Sequence, residues 1–463
     1  MSSKVDTIQE KLIPGVMKFA NSKIIMAIKD GVILAMPLTV IGSIFLLIQN
    51  LPLPNHAWDK FMTSTFGANW GLPFNQVNGA TFKILALVFV FGIASQYAKN
   101  EGCDPVSSGI LGIVCFIILS PQYLALDKGV AVGSLKLKEA THFTVDSGVL
   151  PLDWMSSKGL IMAMFVGLIV GYVYSIFIKR DIVIHMPESV PQGVANAFSA
   201  LIPATVLICG SFVLFILFHL ATAATASEWV YKVLQIPMQG ITDSFGGAIA
   251  IPFIICFFWW FGVHGATLIG GVMSAIYQAN CQSNQALIDK GVKLITSGAG
   301  KNAHIVAQQF QDNFITMTGS GITIGLVLAM VLFGKSQRFK TLGKLALVPG
   351  LFNINEPILF GLPIVLNPFM FVPFILVPVI AGVLTYVSIY TGLVPPFTNV
   401  QAPWTTPPII SGFLVAGWRG ALLQIVILLI ATVIYLPFFK AQDRIYVKEE
   451  QQSIETTDNG IDM

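Results

Sequence analysis

The sequence predicts an all-α integral membrane protein of about ten transmembrane helices, with an amphipathic helix on the membrane surface. Three observations carry that prediction. Of 463 residues, 55% are hydrophobic and 11% charged, with a mean hydropathy of +0.76; a soluble globule carries about 25% charged residues. Uncharged apolar runs recur at the roughly 20-residue length that a hydrocarbon core about 30 Å thick requires. Two later apolar stretches are broken by proline and glycine, a pattern tolerated at membrane depth only where backbone is buried in protein or lines a wet cavity.

The N-terminus, MSSKVDTIQEKLIPGVMKFANSK, lacks the apolar core and small-residue cleavage site of a secretory signal. Ile8, Leu12, Val16 and Phe19 recur three or four apart among lysines, the pattern of a helix on the cytoplasmic membrane surface. Spans are expected at 28–49, 82–99, 106–125, 159–178 and 201–224. The polar loop 126–158 contains KLKEATHFTVDSG, whose alternation suits a short hairpin outside the membrane. Around ATASEWVYKVLQIPMQG the chain changes character, and a boundary is set at 225.

Beyond it, spans are expected at 247–263, 319–333, 369–390 and 409–439. The intervening HGATLIGGVMSAIYQAN is short and rich in glycine, and LALVPGLFNINEPILFGLPIVLNP is interrupted by prolines; neither reads as an ordinary spanning helix. Lysine and arginine are more numerous in the loops on the N-terminal side, which puts both termini in the cytoplasm of a multi-pass protein. An even number of crossings then requires one span beyond these nine. The expected organisation is a surface helix at 1–24, a first helical domain at 25–225, a second with the broken segments at 226–439, and a polar, disordered tail at 440–463.

The chemistry is expected in the broken segments. In NINEPILFGLP, Pro357 disfavours helical geometry for Glu356 and removes an amide donor, leaving backbone groups of Asn353, Ile354 and Asn355 open to a polar ligand beside a carboxylate. His264 in FFWWFGVHGATLIGG follows a long uncharged run, and ionisable groups inside a membrane usually face an interior cavity. Each has a bland alternative: a carboxylate capping local amides, or a histidine hydrogen-bonded within the bundle. Trp259, Trp260 and Trp404 add aromatic faces on which a sugar ring can stack, although Trp404 equally suits a membrane-interface anchor. Asn75, Gln76 and Asn78 could approach a sugar or simply cap a helix.

Other classes are disfavoured. A net charge of +3 without a basic, aromatic-interleaved patch gives no support for nucleic-acid binding. The five cysteines show no zinc spacing and read as small buried side chains, so no metal is expected. Without a Walker A, H-E-x-x-H or Rossmann pattern, neither ATP hydrolysis nor a bound cofactor is expected.

LVPGLFNINEPILFGLPIVLNPFMFVPFI, WWFGVHG and AIKDGVILAMPLTVIGSIFLLI together resemble the IIC membrane subunit of the bacterial sugar phosphotransferase system, in its lactose, cellobiose and diacetylchitobiose branch. The resemblance runs over nearly the full length. It implies a homodimer joined through the first five helices, a second half that carries substrate on two re-entrant hairpins, and a plasma-membrane location. It implies that Glu356 and His264 contact the sugar near the hydroxyl to be phosphorylated, that Trp259 and Trp404 line the pocket, and that Asn355 joins them by adjacency. The phosphoryl group would come from a phosphocysteine on a separate IIB protein, the cellobiose-type arrangement, which makes this chain the membrane subunit of a sugar phosphotransferase. The expected ligand is therefore a β-linked disaccharide. The competing readings are a proton-coupled secondary sugar transporter, with Glu356 and His264 as proton relay, and a membrane receptor without flux.

Overall fold

The protein is represented by a computed structural model that describes residues 18, 22–49, 57–126, 131–132, 135–136, 143–145, 148–187, 189–262, 264–298, 300–362, 364–365 and 367–459. The amphipathic stripe of Ile8, Leu12, Val16 and Phe19 lies outside the described residues.

The first half follows its hydrophobic pattern closely. Helices α1 (Lys23–Ile33) and α2 (Met36–Gln49) form one apolar span, started by Ser22, whose hydroxyl accepts the Ile25 amide. Two shorter helices, α3 (Ala57–Phe66) and α4 (Leu72–Thr81), lead through a tight turn at Phe82–Ile84 into α5 (Leu85–Asn100). Helices α1 and α5 touch backbone to backbone: a Cβ on Gly92 would lie 2.4 Å from the Gly31 carbonyl oxygen, so only glycine permits this approach. Asp104 caps α6 (Pro105–Ile118) by accepting the Ser107 amide at 2.9 Å, with Pro105 at the start where its missing N–H costs nothing.

Helix α6 stops well short of residue 125. The chain turns off at Ser120 and Pro121 into β1 (Leu124–Leu126), which pairs antiparallel with β4 (Phe143–Val145) around a smaller ladder of β2 (Ala131–Val132) and β3 (Leu135–Lys136). Among the described residues, Lys136 and 143–145 of the KLKEATHFTVDSG segment pair with the chain before it. Helices α7 (Leu160–Lys179), α8 (Gln192–Ser199) and α9 (Leu201–Thr222) complete this half.

In the second half, α10 (Ala226–Val230) opens on a Thr225–Glu228 capping box, and α11 (Ile236–Thr242) follows a π-helical turn. The chain then bends by 80° into α12 (Phe245–Trp260). The glycine-rich stretch beginning at His264 is not a short interrupted segment: it continues as α13 (Gly265–Asp289), an unbroken helix of 25 residues. Its length hid behind its polarity. After a π-helical turn at Phe310–Ile315 come α14 (Ile324–Phe333), α15 (Gln337–Leu351), α16 (Glu356–Gly361) and α17 (Pro368–Tyr390). The last element, α18 (Ile410–Asn459), is broken at Ala416 and Gly417, where Gly417 takes φ +66°.

Two hydrophobic cores result. Residues from Ile28 to Val230 build the first, and residues from Ala248 to Phe439 the second. Helix α13 belongs to both: Ala275, Ile276 and Ala279 pack into the first core, Tyr277 and Cys281 into the second. Among the described residues six helices are long and apolar enough to cross a membrane, or seven if the bent pair is one span. That is fewer than about ten, because α6 and α14 are short, other segments are broken, and α13 is too polar to meet an apolar criterion.

The C-terminal segment corrects an expectation. It is helical to Asn459, because it has work at the α15 N-terminus. The Asp443 carboxylate accepts the Lys335 and Ser336 amides at 2.9 and 3.0 Å and the Ser336 hydroxyl at 2.7 Å, while Glu450 accepts the Gln337 and Arg338 amides at 3.1 Å each. Arg338 lies over the Tyr446 ring at 4.4 Å. Asp443→Ala strands these buried donors and should cost about 1–3 kcal/mol, read as a lowered melting temperature of the purified protein.

Just past the end of α5, Glu101 pairs with Lys179 and, at 2.6 Å, with Lys23. Hydrogen bonds from Lys179 first, then Lys23, hold its carboxyl below its ordinary value of 4.5. A depressed carboxylate contributes stability above its unfolded pKa and loses it as pH falls through the lower folded value. The melting temperature should therefore drop below pH 4.5, and Glu101→Gln should flatten that acid limb.

Candidate functional site

Helix α15 ends where Pro349 and Gly350 give their carbonyls to a turn, and Asn353 takes the left-handed conformation with φ +64°. Helix α16 then starts at Glu356 with Pro357 in its first turn, where a missing N–H leaves no gap. Glu356 is thus helical, against the expectation that Pro357 would keep it out of a helix: α15 has already ended at Leu351, and Pro357 sits in the first turn of the next helix. The backbone groups that the sequence left open are mostly used. Asn353 and Ile354 donate to Gly350 and Pro349 at 3.2 and 3.0 Å, and the Asn355 carbonyl accepts Ile358 and Leu359, both at 3.0 Å. What this turn offers a ligand is the Glu356 side chain.

A second irregular loop lies against the first. After the π-helical turn, Thr318, Gly319, Gly321 and Ile322 all have positive φ, +61°, +90°, +89° and +49°. Two asparagine side chains join the loops. The Asn353 Oδ1 accepts the Thr318 amide at 2.6 Å, and its Nδ2 donates to the carbonyls of Trp404 and Thr406. The Asn355 Nδ2 donates to the Ser320 carbonyl at 2.8 Å. A Cβ on Gly319 would sit 2.2 Å from the Asn355 Cγ, so this crossing needs glycine for both conformation and space.

The third wall comes from the end of α12. Trp260 Nε1 donates to the Asn367 carbonyl at 3.0 Å and ties α12 to the start of α17. Trp259 is buried, and its ring lies 4.6 Å from that of His264, tilted by 50°. Among the described residues nothing accepts the Trp259 Nε1–H, although it is shielded from solvent.

Glu356, His264, Asn355, Trp259 and Trp404 line one cavity of about 430 Å³, within the range of small-molecule sites. Residues nearly a hundred positions apart in sequence thus meet in one void. Asn78 does not join them. It is buried on α4 and lines a separate cavity with Gln282 and Asn399. Asn355 has a structural duty, since its amide is committed to Ser320.

The cavity holds a further carboxylate, Asp312, which the sequence reading passed over. It stands on the π-helical turn and accepts the Gln308 amide at 2.8 Å. A signal was present: Asp312 is the sole Asp, Glu, Lys or Arg between Lys301 and Lys335. The site therefore combines two carboxylates, an imidazole and two indoles. It can accept several hydroxyl protons while aromatic faces cover apolar C–H surfaces.

Residues 29–378 match the family model described as "Phosphotransferase system, EIIC". The chain belongs to the EIIC family of the phosphotransferase system. Relatives agree along their length. The lichenan permease IIC component of Bacillus subtilis (strain 168) is 37% identical, covering 97% of this chain and 96% of the relative. The cellobiose-specific EIIC component of Geobacillus stearothermophilus is 36% identical, covering 97% of each. Among solved structures, the transporter ChbC, the IIC component from the N,N'-diacetylchitobiose-specific phosphotransferase system, superposes with a TM-score of 0.87 at 36% identity, over 96% of this chain and 99% of that one. This EIIC chain is a membrane permease of the phosphotransferase system.

Gly319→Ala forces a Cβ into the Asn355 side chain at a left-handed backbone position. The strain should lie in the range of about 1–3 kcal/mol. The expected outcome is a lower melting temperature of the purified protein.

Proposed function

We propose that this permease binds a β-linked disaccharide, of which cellobiose is the representative, and carries it inward. It then presents the 6-hydroxyl to a phosphorylated IIB protein at the cytoplasmic face. The observation that carries this reading is the convergence of Glu356, His264, Trp259 and Trp404 on one cavity. The full-length match to a cellobiose-specific relative and a lichenan relative, each an IIC component, supports both the ligand class and a donor on a separate polypeptide.

In this mechanism the sugar stacks on the indoles, and Trp259 Nε1 gains an acceptor among its hydroxyls. Glu356 accepts a hydrogen bond from the 6-hydroxyl and takes its proton as the oxygen attacks. The S–P bond to the IIB cysteine breaks, the O–P bond forms, and the thiolate leaves. His264 donates to a neighbouring hydroxyl and orients the ring. Asp312 accepts from another and fixes which ring face meets Glu356. Such transfer depends on positioning and charge management more than on covalent work by the protein. The new phosphate then sits beside two carboxylates, which favours release.

The lysine and arginine bias supports cytoplasmic termini. A homodimer through the first half is supported by α9. The span Gln192–Thr222 buries only 17% of its apolar window, against 33% or more in the other single spans.

General-base help is typically worth 10²- to 10⁴-fold. Glu356→Gln should therefore lose phosphorylation on that scale while retaining measurable sugar binding, checked by labelled cellobiose with phospho-IIB. Normal turnover in this variant would remove Glu356 as base. Uptake by vesicles should yield sugar phosphate and survive an uncoupler. Collapse with an uncoupler, and release of unmodified sugar, would establish the proton-coupled reading.

A further inference from the structure

The cavity around Asn78 has features of a built site. It encloses about 260 Å³ between the two cores, with walls from α4, the 153–157 turn, the far end of α13 and the 399 loop. Three side chains on its walls are more than nine-tenths buried and carry polar atoms with no partner among the described residues. They are Asn78 Oδ1, Asn399 Oδ1 and both amide atoms of Gln282. Leaving one such group unpaired costs on the order of 1–3 kcal/mol. Three together point to a ligand that donates and accepts.

The loop bearing Asn399 is held rigidly around it. Gln309 Nε2 donates to the Thr398 and Val400 carbonyls at 2.5 and 2.6 Å, and Asn284 Nδ2 donates to Phe397 at 2.7 Å. Ser43 donates to the Gln401 carbonyl at 2.8 Å, and Gln401 itself donates to Gln278 at 2.9 Å. Asn399 alone keeps an unpaired oxygen in this clamp. The charged groups on the walls cancel, Lys83 and Lys290 against Asp153 and Asp289, with Lys83 and Asp289 3.9 Å apart. That balance favours neither anion nor cation. It suits a neutral polyol, and the volume is that of roughly nine waters at about 30 Å³ each, room for one sugar ring.

Helix α13 connects this cavity to the other. Ala266 at its start lines the Glu356 cavity, and Gln282, Gln285 and Asp289 at its end line this one. Ser274, Gln278, Gln282, Gln285 and Asp289 follow at spacings of four, four, three and four, a polar stripe over the later part of a helix roughly 37 Å long, with Gln278 accepting from Gln401. Lys83 precedes α5 and Glu101 follows it, so the cavity lies at the opposite end of that span from the Glu101 cluster.

We propose that this cavity is a second polyol site, which holds one ring of the disaccharide at the outer face before the sugar moves along the α13 stripe to Glu356. The ligand class rests on the function proposed above. The test is uptake of external labelled cellobiose by full-length protein in vesicles loaded with phospho-IIB. Gln282→Leu replaces an orphaned amide with an apolar group of similar size, so folding should survive. The external KM should rise about fivefold, as for one lost neutral hydrogen bond, with the saturating rate kept within about twofold. Gln282→Asn should recover part of the loss, and Asn399→Ala, on another wall, should repeat it. An unchanged KM in both Gln282→Leu and Asn399→Ala overturns the proposal and leaves a cavity that holds only water. A parallel fall in rate and melting temperature overturns it in favour of a packing role. Failure of the unmutated protein to bind or phosphorylate cellobiose would instead sink the function reading, and it is visible before any variant is made.

Discussion

The site depends on one constraint: backbone that leaves helical geometry within the protein must find hydrogen-bond partners there. Here two side-chain amides supply them. Asn353 and Asn355 stitch the 352–355 turn to the 316–323 loop and to the Trp404 segment. Because these bonds satisfy the irregular backbone, Glu356 does not have to. Its carboxylate lines the cavity without being spent on that backbone.

The same logic explains why Pro357 and Glu356 stand together. Any helix has unpaired amides in its first turn. Proline removes one, and an acidic residue at the start complements the others electrostatically. A charged group is therefore kept there at little cost, beside the imidazole and indoles that line the same cavity.

Helix α13 shows another way polar groups are held between the two cores. Its Asn280 and Asn284 are fully paired across to the second half, with Gln239, Val306, His304 and Phe397 as partners. Its Gln282 is buried and unpaired on the opposite side. One helix thus anchors the second half through some polar residues and offers others to the seam with the first.

The sequence by itself determined the membrane class and most of the apolar spans, and it singled out Glu356 and His264, because uncharged runs and isolated ionisable residues are visible one residue at a time. Five of six expected site residues share a cavity: Glu356 and His264 stood out as isolated ionisable groups, whereas Trp259, Trp404 and Asn355 came from the family resemblance. Only the tertiary structure decided that Asn78 belongs to another cavity, that Asp312 joins the first, and that α13 is continuous. It also showed that the C-terminal segment is helical, since the reason lies in α15 amides about a hundred residues earlier in the chain. Local pattern reveals what lipid excludes; which polar groups then satisfy one another is a property of contacts between distant segments, and no spacing along the chain encodes it.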